Sequence, residues 1–257
     1  MSKNDNINTL FFCDETKFSI KNGDIENAIY YLGIAVNKND VAKIDAQLKA
    51  IISKHRIQSS TLHSNKLFKE PKPREKLMTD LVSLIIKNKL HCFCYKYQKD
   101  LFFNKTQILN KFNNEILNFN NSEFQALFYY LIILNTYLRD INSSLLTKDI
   151  IMYFDRNVYG VNDTDEFIFP NENFILKQMT FCEKSKVSLL FLPDFVGYLF
   201  RKSKLSKDKY DSGNLNLEKS LLTIDCYKNM VELSGKGLFH FLDINEQILQ
   251  KAIELII

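Results

Sequence analysis

Thr9-Leu10-Phe11-Phe12-Cys13-Asp14-Glu15 is the stretch on which the fold turns, because a short apolar run passes straight into two acids. Continuous apolar character over so few residues suits a strand covered on both faces. Two carboxylates at its end then stand at the edge of a sheet. A polar stretch follows with Asn22-Gly23-Asp24, which reads as a turn, and Ala28 to Val36 supplies a second apolar strand. The pair is expected to form an antiparallel hairpin.

Outward from the hairpin, Val41, Ile44, Leu48, Ile51 and Ile52 recur at helical spacing over Asn39 to Lys54, with Asn39 or Asp40 as the N-cap. Ser59 to Phe68 is too short to assign. Pro71 and Pro73 open a helix through Leu77, Leu81, Leu84 and Ile85, and His91 to Tyr97 is a third strand. Two helical segments follow, about Lys105 to Asn118 and Ser122 to Ile141. Asp149 to Phe154 is again apolar and ends in Asp155; beyond the turn-rich Asn157 to Asn173 comes a strand at Phe174 to Phe181. Leu190 to Lys202 reads as a helix with Pro193 and Asp194 in its first turn. Ser203 to Asn216 lacks apolar periodicity and reads as a linker, before helices at Leu217 to Leu233 and Asp243 to Ile257.

The expected class is α/β: a mixed sheet flanked by helices, with a helical insert at about 104–145 and a helical C-terminal extension. One domain over 1–202 carries the linker and C-terminal helices, 203–257, packed on it. The apolar terminus Leu255-Ile256-Ile257 packs back on the domain or joins a second copy of the chain.

The 34 basic and 30 acidic side chains nearly cancel, so no global field selects nucleic acid, and any basic patch must be local. Five cysteines at irregular spacing and a start without signal-like character point to a reduced, cytoplasmic protein. No apolar run approaches the roughly 20 residues that span a bilayer, so no membrane partner is expected.

Asp14-Glu15 and Asp155 at strand ends, with Asp194 at a helix start, are the residues that point to chemistry. Strand ends on one sheet edge meet in space. Carboxylates gathered there repel one another and lose hydration, and a hard cation such as Mg2+ or Mn2+ relieves both. Two such ions about 4 Å apart activate water and stabilise the leaving oxygen of a phosphodiester. Each acid also has an ordinary role: acids follow strands as turn residues, and the helix dipole favours Asp in a first turn. Alternation along a strand points Glu15 away from Asp14 unless the strand breaks there.

Phe11-Phe12-Cys13-Asp14-Glu15-Thr16, Thr61-Leu62-His63-Ser64, Ile151-Met152-Tyr153-Phe154-Asp155-Arg156 and Leu189-Leu190-Phe191-Leu192-Pro193-Asp194-Phe195-Val196-Gly197-Tyr198 occur in this order over about residues 8 to 202. In order and separation they resemble domain-of-unknown-function family 3800. That resemblance implies a ribonuclease-H-like fold and a divalent-metal-dependent nuclease acting on RNA or DNA. Asp14, Glu15, His63, Asp155 and Asp194 would form the site, with Asp14, Glu15, Asp155 and Asp194 toward the metal and His63 near the scissile phosphate. It also implies a microbial setting in defence or a mobile element. Thr16-Lys17 stands where the family usually has Ser-Gly, and Leu192-Pro193-Asp194 where it has Leu-Ala-Asp. These departures favour the alternative, a catalytically inactive binding or regulatory module on the same fold.

Lys17 is a candidate phosphate contact, and Arg201, Lys202, Lys204, Lys207 and Lys209 form a basic run where a nucleic-acid backbone leaving the site would pass. The bland reading of that run is a solvated loop. Cys92 and Cys94, two apart on a strand without a second ligand pair, read as core thiols rather than zinc ligands. Tyr30-Tyr31 and Tyr129-Tyr130 read as packing residues.

Overall fold

The first strand owes its length to its hairpin partner. β1 (Thr9–Phe18) lies antiparallel to β2 (Ala28–Asn37) along its whole length, and parallel to β4 (Ile150–Asp155) only from Thr9 to Cys13. It therefore runs through Asp14-Glu15 rather than ending there. What ends is its parallel partner, so both acids lie where one side of β1 has just lost its neighbour. The computed structural model describes residues 9–18, 28–58, 62–68, 75–97, 122–141, 149–155, 166–168, 175–211 and 217–256. The Asn22-Gly23-Asp24 turn, the helix at Lys105 to Asn118, both prolines before Glu75 and most of Asn157 to Asn173 fall outside them.

β3 (Cys92–Lys96), β5 (Glu166–Ile168), β6 (Leu176–Cys182) and β7 (Phe239–Phe241) complete a mixed seven-stranded sheet in the order β5-β6-β4-β1-β2-β3-β7. β6, β4 and β1 are parallel; β2 and β3 continue as an antiparallel meander, and β7 adds parallel to β3. β7 escapes the sequence reading because three residues carry no usable period.

Helices cover both faces. α4 (Ser122–Thr136), continued by a π-helical turn at Tyr137–Ile141, is buried at every described position from Ala126 to Thr136. An α-helix apolar all round belongs inside a core. It packs with Phe11, Cys13, Tyr31, Phe93, Met152, Phe154 and Ile248, the last from α7 (Glu246–Ile256). The Asn135 side-chain oxygen accepts from the Ile175 amide at 2.8 Å, tying this helix to the start of β6. Side chains of 255–257 lie outside the described residues.

On the other face α1 (Val41–Lys54), α3 (Glu75–Lys87), α5 (Phe191–Asp211) and α6 (Leu217–Gly235) pack over Phe12, Leu32, Ile34 and Cys94. A 3₁₀ turn at Lys38–Asp40 precedes α1; Asn37 caps that turn, its side chain accepting from the Asn39 amide at 2.9 Å, and Asp40 stands at the N-cap of α1 without a side-chain capping hydrogen bond. α5 corrects a second expectation, since it continues through Ser203 to Asp211 where a linker was read. A polar stretch without apolar period still extends a helix nucleated by the apolar turns before it. α5 comes close to the sheet at Gly197: a Cβ there would lie 3.2 Å from Leu32 Cδ1 and 3.5 Å from Thr16 Cβ. Ile224, Tyr227 and Val231 leave an exposed apolar stripe on α6. Among the described residues no helix is long and apolar enough to cross a membrane.

Candidate functional site

Parallel register sets the site. Cys13 pairs with Phe154 and Phe154 with Phe181, so the next residues, Asp14, Asp155 and Cys182, stand level where the parallel pairing of β1 with β4 gives out and β4 and β6 end. In open α/β sheets this is the end at which ligands bind. Phe12 and Tyr153 pack toward α5, and two-residue alternation puts Asp14 and Asp155 on that same side. Asp194 comes down from the first turn of α5 above them.

These three carboxylates meet around the ammonium of Lys184, in the turn after β6. Its Nζ lies 3.1 Å from Asp14 Oδ2, 3.8 Å from Asp155 Oδ2 and 3.8 Å from Asp194 Oδ1. The Lys184 side chain is 14% exposed and the aspartates between 8% and 13%, so the charges are poorly screened by water. Burial pushes the Asp14 carboxyl well above its ordinary range near 3.8; Lys184 pulls it partly back, and Glu15 and Asp194 push it further up. Burial alone would lower the Lys184 pKa, but Asp14, Asp194 and Asp155 together outweigh it and hold the ammonium above its usual range. Four acids share one lysine, so the cation stays charged while a carboxyl resists losing its proton.

Glu15 follows Asp14 on an unbroken strand and so alternates to the other side, yet it still lines the cleft, because β1 has no β4 neighbour beyond Cys13. Burial raises its pKa; a backbone hydrogen bond, Lys184 and Lys17 oppose that, and Asp155 adds to it.

Asp194 holds two things at once. Its Oδ2 accepts from the Ser64 amide at 2.7 Å, fixing the start of the short helix α2 (Ser64–Leu67), while Oδ1 is the atom facing Lys184. His63 caps the same turn, its Nδ1 accepting from the Asn65 amide at 3.3 Å and standing 3.6 Å from Asp194 Oδ1. An Nδ1 that accepts leaves the ring proton of neutral His63 on Nε2. Arg201 donates to the Asn65 side-chain oxygen.

The resulting cleft, about 560 Å³, is lined by Asp14, Glu15, His63, Asp155 and Asp194 and, among cations, by Lys17, Lys66, Lys184 and Arg201. All five acid and histidine candidates from the sequence thus come together. Lys17 and Arg201 do so as well. Lys202 and Lys204 do not line it: Lys202 Nζ lies 5.8 Å from the centre of the Tyr198 ring, and Lys204 Nζ 5.0 Å from that of Tyr30. One helical turn separates Arg201 from Lys204 and carries them to different neighbours. The side chains of Lys207 and Lys209 fall outside the described residues.

Sequence reasoning missed Lys184 and Lys66. Glu183-Lys184-Ser185-Lys186 reads as an ordinary charged turn, and only its place between a strand and the Leu-rich run before Asp194 marks it. Cys92 and Cys94 are buried against the helices, with burial pushing both thiols up. Tyr30, Tyr31, Tyr129 and Tyr130 are buried packing residues. Away from the cleft, His55 Nε2 pairs with Asp80 at 2.7 Å, and His91 Nδ1 meets His240 Nε2 at 2.9 Å beside β7.

Three aspartates from separate segments form an oxygen donor set of the kind hard divalent cations take. Their oxygens stand at ammonium distances, whereas Mg2+ needs contacts of about 2.0–2.1 Å. Accordingly, no group of three or more His, Cys, Asp or Glu among the described residues is already arranged to hold a metal ion. The donor chemistry fits a cation; the space between the donors holds a lysine. The chain matches no protein-family model and no curated protein sequence.

Proposed function

We propose that this chain is a divalent-metal-dependent nuclease, hydrolysing phosphodiesters of RNA or DNA, on a ribonuclease-H-like fold of the kind resembled by its motifs. The observation that carries the reading is the meeting of Asp14, Asp155 and Asp194, drawn from three distant segments, within 3.8 Å of one nitrogen. A mixed sheet with helices on both faces and acids at the carboxyl ends of its parallel strands is what the likeness to family 3800 implies.

Asp14, Asp155 and Asp194 would hold Mg2+ or Mn2+, with Glu15 at the rim. Bound there, the metal supplies a Lewis acid and an activated water. The chain's own residues do the rest. Lys17, Lys66 and Arg201 give the acidic floor a cationic wall, against which a polyanionic backbone can lie without meeting only like charge. His63, with its proton on Nε2, stands in the same cleft as a donor to a phosphate or leaving oxygen. The hydrogen bond from Ser64 fixes the Asp194 carboxylate, so its orientation does not depend on a ligand.

Oligonucleotide cleavage in Mg2+ or Mn2+ tests this. Asp14→Asn should lower it by about 10²–10³-fold, the scale of losing one electrostatic contact to developing charge. Full activity in that variant, or none in the wild type with either metal, overturns the reading.

A second reading has its own observation. Lys184 already pairs with the acids from within, as it would in a module that keeps the fold without turnover. Such a protein binds oligonucleotides equally well with and without Mg2+ and cleaves none of them.

The cytoplasm and a role in microbial defence or a mobile element belong to the same proposal. Self-association through the C-terminal helices is supported by the exposed Ile224, Tyr227 and Val231 stripe. A concentration-independent monomer in sedimentation equilibrium removes it.

A further inference from the structure

We propose that Lys184 is an exchangeable internal cation: it occupies the acidic cleft when no metal is bound and is displaced when a divalent ion enters. The inference rests on reading the cleft as a metal-dependent site. It goes further by making metal affinity a property of a lysine that is not a ligand.

The geometry points this way. Lys184 makes one hydrogen bond, to Asp14 at 3.1 Å, and two longer ion pairs at 3.8 Å to Asp155 and Asp194. One ammonium thus spans three acids without seating closely on all of them. A doubly charged ion contacts carboxylate oxygens directly and offsets more of their repulsion. Lys184 also has somewhere to go. It borders a second cavity of about 390 Å³, lined by Ile52, Ile57 and Leu62 together with Ser53, Ser185 and Ser188, and by Lys49, whose own charge is paired with Asp45 at 2.6 Å. Apolar walls suit the methylene stem of a displaced lysine, and serine oxygens suit its head. Its backbone need not move, because the turn is held independently by the Lys186 and Val187 amides, which both donate to the Glu183 carbonyl, at 2.9 and 3.1 Å.

The alternative is a fixed ion pair that closes the site for good. Isothermal titration calorimetry with Mn2+ separates the two, using wild type, Lys184→Gln and Lys184→Arg, with melting curves of each in the presence and absence of Mn2+. Exchange predicts that Lys184→Gln binds Mn2+ about tenfold or more tightly than wild type, within the usual range of coupling between competing binding events. Without metal this variant melts below wild type, and Mn2+ restores it. Lys184→Arg, harder to displace from carboxylates through its forked contacts, binds Mn2+ more weakly than wild type; it keeps the test open should the Gln variant fail to fold without metal. Equal affinity across the series overturns exchange, as does weaker binding by Lys184→Gln or no binding by any of the three. Oligonucleotide cleavage in the same samples keeps the two proposals apart. Tighter Mn2+ binding without cleavage supports exchange and removes the nuclease. Asp14-dependent cleavage with unchanged Mn2+ affinities does the reverse.

Discussion

On the α4 side of the sheet Phe11, Cys13, Met152 and Phe154 meet a helix that is apolar all round, whereas on the α5 side Phe12 and Tyr153 give way, two residues along the same strands, to Asp14 and Asp155. Both faces are covered and both are buried, but only one carries charge into its packing. The α4 face is held mainly by apolar contact, although the Asn135 side-chain nitrogen and the Thr136 hydroxyl are buried there without a hydrogen-bond partner among the described residues. The α5 face gives up some stability to hold four acids and a lysine together, a common cost where a fold builds a site.

The comparison breaks most visibly on the apolar side. Leu134→Ala, in the fully buried part of α4, should cost about 2–5 kcal/mol in urea unfolding. The folded fraction should keep the Mn2+ affinity of wild type, because no α4 residue lines the cleft. Gly33→Ala tests the tightness of the same packing. A Cβ at Gly33 meets the Tyr130 hydroxyl and comes within 3.0 Å of Phe11 Cδ1 and 3.2 Å of Cys13 Sγ. Overpacking of that kind should cost about 1–3 kcal/mol by the same measurement.

Substitution on the acidic side runs the other way. Asp14→Asn should stabilise the metal-free protein near neutral pH by about 1 kcal/mol, the scale of single stabilising changes, while lowering cleavage by about 10²–10³-fold. The sign follows from proton counting. The Asp14 pKa is raised on folding, so from the ordinary carboxylate range near 3.8 up to that raised value the native state holds a proton the unfolded chain has lost. Stability falls as pH rises through that window. Thermal melts between pH 4 and neutrality, the interval in which carboxylates titrate, should show a shallower fall in Asp14→Asn. A slope as steep as that of wild type would assign the strain to another acid. The smallest effect sharpens the boundary of the site: Lys204→Met should cost about 0.5–1 kcal/mol, the scale of one hydrogen bond, and leave Mn2+ affinity alone, since Lys204 sits over Tyr30 and donates to its hydroxyl.

The same contrast explains what could be read from the chain. β1, β4 and the helix carrying Asp194 are legible because buried strands and amphipathic turns leave a local period. Two strand ends and a helix start point to Asp14, Asp155 and Asp194, and the order of the four motifs, more than that spacing, singles them out. Glu15 follows Asp14 by strand alternation yet still lines the cleft. Lys184 leaves no such trace. It meets Asp14 across 170 residues, and a single cation in a charged turn looks like any solvated lysine. The polar half of α5 lacks amphipathic patterning, which is why it read as a linker. The cap of α2 comes from His63, a residue whose capping role depends on backbone geometry more than on type.

β7 has a consequence in time. β3 is one strand from the edge of the finished sheet, and its outer neighbour lies far along the chain, with His91 and His240 in contact across 149 residues. At synthesis rates of 5–20 residues per second that interval lasts roughly 7–30 s. Through it the nascent chain has no native partner for the outer edge of Cys92–Lys96, an apolar strand of the type that pairs wrongly when left open. The three residues of β7 thus act as a late stopper, and their loss should first appear as aggregation during expression.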